Sequence, residues 1–464
     1  TREAGLTYYG HSCMPLFFDY NRDGRLDLLV TNMGRFTTDE ICHTLDRTGA
    51  PRAYYKSIED AFAGHLFPDR NEPSILFRNE GMGRFRNVTE EVGLAAIHWS
   101  GGATPIDIND DGWLDLYILN MQGNDVCLEN RQGERFVDCS AEFFPESVWG
   151  GMSVKLIDFD NDRQLDLFVT NMHADMWERR NDPLGTLDKV RPPPDVMPES
   201  YLRSRSPGHN ILGNALFRKQ SDLKYEDVAL KTGAETYWPW GVSTGDLNAD
   251  GFQDAFIASC MNYPFRYHVN SLLLNEGGRK FCDAEFVVGI EPRRDQRTFV
   301  EWFDLDATHR DRYHELAVER EGNARVFGAI GSRSAVIFDL DLDGDLDIVT
   351  NDFHSEPMVL VSNLSERQPG RTFLAIRLKG STSNRDGLGS VVRLRIGNQW
   401  QTQVCDGISG YLSQSSLPLY FGLHESPQVD ELRIQWPSGI EQILAGPIAA
   451  NQLVTVEEPV ARHP

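Results

Sequence analysis

The sequence predicts an all-β protein: a calcium-braced β-propeller followed by a small C-terminal β domain. Three observations carry that prediction. A nine-residue aspartate loop occurs five times, and each copy runs straight into a short apolar strand. Between copies, an apolar strand meets a Gly-containing polar turn and then a strand that begins with Phe. The C-terminal part has no such loop and alternates apolar with polar residues.

The fifth loop shows the chemistry most fully: Asp339-Leu-Asp341-Leu-Asp343-Gly344-Asp345-Leu-Asp347, followed by Ile348-Val349-Thr350-Asn351. Asp339, Asp341, Asp343 and Asp347 occupy positions 1, 3, 5 and 9, and Gly344 occupies position 6, where a sharp turn wants a residue that tolerates positive φ. Alternate oxygen ligands on a tight loop point at one centre and suit a hard cation such as Ca²⁺. The same positions are filled by Asp19, Asn21, Asp23 and Asp27; by Asp107, Asn109, Asp111 and Asp115; by Asp158, Asp160, Asp162 and Asp166; and by Asp246, Asn248, Asp250 and Asp254. A single acidic loop is usually a solvated turn. Five recurrences of loop plus strand are an internal repeat, and a cofactor complement of about five Ca²⁺ follows. The third loop departs from the pattern, with Arg163 where the others have glycine.

Each unit has a second half. Ser74-Ile-Leu-Phe77 leads to Asn79-Glu-Gly-Met-Gly-Arg-Phe85, Val126-Cys-Leu128 to Asn130-Arg-Gln-Gly-Glu-Arg-Phe136, and Ser271-Leu-Leu-Leu274 to Asn275-Glu-Gly-Gly-Arg-Lys-Phe281. These are β-hairpin signatures. Strand, cation loop, strand, connection and hairpin make a four-stranded unit, and such units repeated are propeller blades. First aspartates are spaced by 88, 51, 88 and 93 residues. The longest gap holds a degenerate copy, Phe303-Asp304-Leu-Asp306 with Glu315-Leu-Ala-Val318 beyond, which brings the count to six blades; seven is the expected closure. The two 88-residue gaps hold inserts near 33–72 and 173–212.

The chain's 464 residues suit a large repeat domain over 1–368 and a smaller β domain over 369–464. Phe373-Leu-Ala-Ile-Arg-Leu, Val391-Val-Arg-Leu-Arg-Ile and Glu431-Leu-Arg-Ile-Gln-Trp read as half-buried strands, with Gly- and Ser-rich turns between them. Net charge is −24, from 69 acids and 45 bases, and five Ca²⁺ would reduce it to about −14. That balance argues against a nucleic-acid partner, which needs clustered Lys and Arg. No apolar run is long enough to span a membrane. Seven cysteines make no disulfide framework, although Cys127 with Cys139, or Cys260 with Cys282, could bridge adjacent strands if the register allows.

The loops resemble the FG-GAP/VCBS repeats of integrin α-subunit-like propellers. The tail motifs Ser383-Asn-Arg385-Asp-Gly387-Leu-Gly389, Gly407-Ile-Ser-Gly410-Tyr-Leu-Ser413-Gln-Ser-Ser416, Phe421-Gly-Leu423 and Trp436-Pro-Ser-Gly439 resemble the ASPIC/UnbV domain. Together and in this order they are similar to the cartilage acidic protein family and its bacterial relatives. The resemblance implies an extracellular or periplasmic calcium-binding propeller whose cation loops all leave one face. Both inserts and the entries to each inner strand then fall on the opposite face, at the mouth of a central channel.

That face should collect Tyr8, Tyr9, His11, His98, Trp99, Trp149, Tyr237, Trp238 and Trp240. Trp99, Trp149, Trp238 and Trp240 are the ligand-binding candidates, for an unidentified small molecule, peptide or protein. His11, His98, His173 and His354, with Asp175, are the catalytic candidates of a rival reading, an enzyme of natural-product tailoring or metal-dependent type. Imidazoles with a carboxylate would suit a transition metal such as Cu, Zn or Fe. The bland reading of these histidines is separate hydrogen-bonding loop residues. No HExxH, GxSxG or phosphate-binding glycine loop occurs.

Overall fold

The computed structural model describes residues 2–45, 51–58, 70–94, 99–172, 209–211, 213–260, 267–312, 315–317, 319–353 and 355–460. These residues are all-β, with helix confined to single turns, and none of their helices is long and apolar enough to cross a membrane.

β1 (Ser12–Phe18) and β2 (Asp27–Asn32) pair antiparallel across the first aspartate loop. β3 (Thr37–Leu45) and β4 (Pro51–Ser57) make a separate hairpin within the first insert. β5 (Ile75–Gly81) returns to β2, and β6 (Arg84–Asn87) pairs with β5. The unit then repeats. β7 (Trp99–Ile106), β8 (Asp115–Gln122), β9 (Val126–Arg131) and β10 (Arg135–Asp138) form the second sheet. β11 (Glu146–Val148) precedes the third sheet, which starts with β12 (Gly151–Ile157) and β13 (Asp166–Asn171). β14 (His209–Ile211) lies parallel to β11, and β15 (Ala215–Lys219) and β16 (Tyr225–Asp227) complete the third sheet. β17 (Pro239–Gly245), β18 (Asp254–Ser259), β19 (Ser271–Asn275) and β20 (Phe281–Asp283) are the fourth.

β21 (Phe299–Asp306) and β22 (Asn323–Ala329) follow as a two-stranded hairpin. β23 (Gly331–Phe338), β24 (Asp347–Phe353) and β25 (Val359–Leu360) form the fifth sheet. The degenerate copy around Phe303 is therefore not a further sheet of the series. Its loop lacks the aspartate spacing, β21 is largely half-buried or exposed, and residues 315–317 form a helical turn where a second strand was anticipated. β23 packs directly on β17 instead. The described residues form five sheets of this kind, against the six or seven expected.

Every residue of β7, β13 and β18 is buried. The reason is packing on both faces. One hydrophobic core lies between each successive pair of sheets: Leu29 and Leu76 against Ile118; Leu119 and Tyr117 against Leu167 and Phe217; Phe168 and Leu216 against Val242 and Leu273; Phe256 and Leu272 against Ala335 and Ile348. Burial of this kind contributes about 25 cal/mol per Å² of apolar surface.

The chain after β25 builds its own core from two sheets. β26 (Phe373–Lys379), β29 (Leu419–Gly422) and β32 (Gln452–Glu457) make one, with β26 parallel to β32. β27 (Val391–Ile396), β28 (Gln399–Val404), β30 (Gln428–Gln435) and β31 (Glu441–Ala449) make the other. Leu374, Val392, Phe421, Leu432 and the fully buried Trp436 fill the space between them. All seven cysteines are free. Cys139 donates its amide to the Cys127 carbonyl at 2.9 Å, so that pair does lie side by side. Cys282 faces Leu274, and its thiol turns to Glu276, so the Cys260–Cys282 register does not arise.

Candidate functional site

The five loops share one hydrogen-bond plan. The carboxylate at position 9 accepts the position-2 amide on Oδ2 (Tyr20, Ile108, Phe159, Leu247, Leu340; 2.8–3.3 Å). On Oδ1 it accepts an amide of the sheet's third strand or its extension (Asn79, Asn130, Lys219, Asn275, Ser362; 2.6–2.9 Å). Position 9 thus ties each loop to its sheet. The carboxylate at position 1 accepts the position-6 amide on Oδ2 at 2.7–3.2 Å, which curls the loop around its centre. Position 4 is a non-glycine residue at positive φ in every loop (Arg22, Asp110, Asn161, Ala249, Leu342).

Burial works against the charge these carboxylates carry. It lifts Asp19 and Asp107 to about 6, and Asp27, Asp115, Asp158 and Asp246 to about 7. Desolvation disfavours the ionised form, and neighbouring aspartates add like charge. A bound cation would relieve both. The donor set fits one: Asp158, Asp160 and Asp166, and likewise Asp339, Asp341 and Asp347, each bring carboxylate oxygens within 4.8 Å of one another. Asp158 Oδ1, Asp160 Oδ1 and Asp339 Oδ1 are buried without a hydrogen-bond partner, as inward-facing ligand atoms would be. The third loop also carries a competitor. Arg218 Nη2 lies 2.6 Å from Asp160 Oδ2 and 3.4 Å from Asp162 Oδ2.

The C-terminal domain sits on these loops. Arg22 Nε donates to the Pro437 carbonyl at 2.9 Å, and Leu114 packs at Gly389. Thr402 lies beside Asp158, the His424 amide donates to the Ala249 carbonyl at 3.1 Å, and the Tyr420 hydroxyl donates to the Gly344 carbonyl at 2.9 Å. All five loops are touched, so all five lie on one face. From the same domain a tongue, residues 406–416, passes between the first strands. Gln414 exchanges hydrogen bonds with the Phe17 backbone on β1, and Leu412 packs at Gly102 on β7. Ser153 on β12 donates to the Gly410 carbonyl, Tyr411 packs at Gly241 on β17, and the Tyr411 amide donates to Ser334 on β23.

The sequence reading places a channel at the centre of the first strands. The tongue fills the centre, and the sequence could not show that distant glycine-rich turns dock there. His11 is the one candidate histidine among the described residues. Nδ1 lies 2.9 Å from Glu72 and Nε2 3.1 Å from Thr37, so both ring nitrogens are taken. His98, His173, Asp175 and His354 lie outside the described residues. Of the tryptophans, Trp99 and Trp149 are buried at 3% and 1% exposure, Trp99 beneath Phe36 of the first insert. Trp238 stacks on His268. Trp240 meets Tyr411 edge-on at 5.1 Å, and the Arg333 guanidinium lies between Trp240 (4.1 Å) and Phe353 (4.6 Å). Sequence reasoning missed Arg333, Lys155 and Asp406; the motif from Gly407 to Ser416 was the signal, but it read as turns.

Aspartate loops at one end of successive sheets, with a β domain docked on them, are the setting of two family matches. Residues 107–169 match the FG-GAP-like repeat family, and residues 380–463 match the ASPIC and UnbV family. The chain is similar to Cartilage acidic protein 1 of Xenopus tropicalis, 32% identical over 122 residues, and to that of Homo sapiens, 30% identical over 132. These stretches are 25% and 27% of this chain, and 18% and 20% of the relatives, so the match spans a fifth or less of their length. Among solved structures, the V. cholerae biofilm matrix protein Bap1 aligns with a TM-score of 0.27 and 9% identity, over 94% of this chain and 59% of that one.

Proposed function

We propose that the protein is an exported, calcium-braced β-propeller that serves as a binding scaffold and takes its ligand on the face opposite the aspartate loops. The observation that carries this reading is the docking of the C-terminal domain: it covers the loop face and fills the centre, which leaves the other face for a partner. The sheets would be blades, with β1, β7, β12, β17 and β23 innermost. Each Ca²⁺ would be held by positions 1, 3, 5 and 9, and by neutralising crowded acids would brace both the blade and the domain above it. The opposite face offers Arg333 sandwiched by Trp240 and Phe353. An arginine braced by aromatic rings is a common recognition anchor.

Elemental analysis of protein purified without chelator tests the metal reading: about five Ca²⁺ per chain is expected from the loop chemistry, and fewer than two would refute it. Peptide and glycan arrays test the face. Hits should vanish with the Trp240→Ala/Arg333→Ala variant, and hits that persist would place the ligand elsewhere.

A further inference from the structure

The two domains do not close on each other completely. A cavity of about 490 Å³ remains on the loop side, between the fourth and fifth sheets and the C-terminal domain. β17 and β23 supply one wall; β26 and the chain running from the end of β28 into the root of the tongue supply the other. Apolar side chains outnumber polar ones around it. Small-molecule sites span about 300–1,000 Å³ and are lined in this way, with a few polar groups that orient the ligand.

The charged side chains lining the cavity are two bases and two acids, Lys155, Arg377, Asp339 and Asp406, so they balance. Lys155 and Asp406 are paired at 2.6 Å. Arg377 is exposed, and Asp339 accepts the Gly344 amide within the fifth loop. Three other lining oxygens are buried without a hydrogen-bond partner: Asp406 Oδ2, Gln253 Oε1 and Thr244 Oγ1. Asp406 itself is only 2% exposed. Carboxylate and amide oxygens accept only, and a hydroxyl does both. Buried polar atoms of native proteins are nearly always paired, so these oxygens call for a donor from a ligand.

The rim is a second, independent observation. Leu342 and Leu453 line the cavity yet are 85% and 46% exposed. Leu342 stands at position 4 of the fifth loop with φ +64, where the sister loops place Arg22, Asp110, Asn161 and Ala249. Four other residue types make this turn, so the turn does not require leucine. Water in the cavity would meet the oxygens but leave the leucines and the apolar wall wetted.

We propose that this cavity binds an uncharged small molecule with an apolar body and a hydroxyl group. The hydroxyl donates to the buried oxygens around Asp406, and the body lies along the apolar wall to Leu342. The site is distinct from the face opposite the aspartate loops.

Fluorescence titration of the full chain with 1-pyrenemethanol, and with its methyl ether, tests the proposal. The alcohol should bind saturably, and the ether, which keeps the body but cannot donate, roughly tenfold more weakly. Ala375→Trp fills the cavity and should abolish binding. Leu342→Asn puts at the rim the residue that the third loop already carries there. It should weaken binding severalfold and leave the Tm unchanged, which keeps the test decisive if Ala375→Trp does not fold. Absence of binding by the native chain, equal affinity for the ether, or native affinity in Leu342→Asn overturns the proposal.

Discussion

Lys155 on β12 and Asp406 at the root of the tongue form an ion pair at 2.6 Å, with side-chain exposures of 13% and 2%. The same ammonium donates to the Ile408 carbonyl at 2.8 Å. This pair fixes the point where the C-terminal domain enters the centre of the sheets. Removing one partner strands a buried charge, so Asp406→Asn or Lys155→Met should cost about 3–5 kcal/mol in denaturant unfolding. The double variant Lys155→Met/Asp406→Leu should recover much of that loss. If the two single losses simply add in the double variant, the pair is not coupled.

Docking also depends on close backbone approach. A Cβ on Gly422 would collide with the Asp246 carboxylate, and one on Gly410 with Ser334. Gly422→Ala should cost about 1–3 kcal/mol, as overpacking does, and should speed limited proteolysis between residues 360 and 373. Unchanged cleavage would mean that the interface adapts.

Chelation should lower the Tm, because a ligand that binds only the folded state stabilises it by mass action. The third loop should be the weakest site, since Arg218 already lies on Asp160 and Asp162. Arg218→Gln should tighten one calcium site, roughly tenfold for about 1.4 kcal/mol of relieved repulsion. Competition with a calcium-chelating dye reads this directly; identical isotherms would remove Arg218 from the account.

Glu458 supplies a pH dependence. Its Oε2 accepts the amides of Ser381, Thr382 and Ser383, each at 2.8 Å, and its Oε1 accepts the Ser383 and Ser438 hydroxyls. Burial would raise this carboxyl, but hydrogen bonds from Ser438, Ser381 and Ser383 outweigh it and hold it below the usual range. The group therefore binds its proton more weakly folded than unfolded. Its stabilisation is complete above the unfolded value, about 4.3, and is lost as pH falls through the folded value. Glu458→Gln should destabilise at pH 7 by about 1–3 kcal/mol and flatten the stability profile on the acid side. A profile parallel to that of the native chain would show that Glu458 does not carry this term.

Much of the architecture was legible because it is local. The aspartate positions, the strand after each loop and the hairpin turns at Gly81, Gly133 and Gly277 all follow from side-chain spacing and turn chemistry over a few residues. The same local logic overcounted at Phe303, where apolar residues near two aspartates formed only a hairpin. It gave no sign that Glu72 and Thr37, more than twenty residues away, hold the two ring nitrogens of His11.

The chain's residue pattern alone was enough for the all-β class, the repeated acidic loops and the separate C-terminal strands, because hydrophobic period and loop chemistry are written in neighbouring residues. The docking of Tyr411 against Trp240 and the Lys155–Asp406 pair join residues 171 or more positions apart. Such contacts depend on how two domains close on each other, and no spacing rule within either domain specifies that.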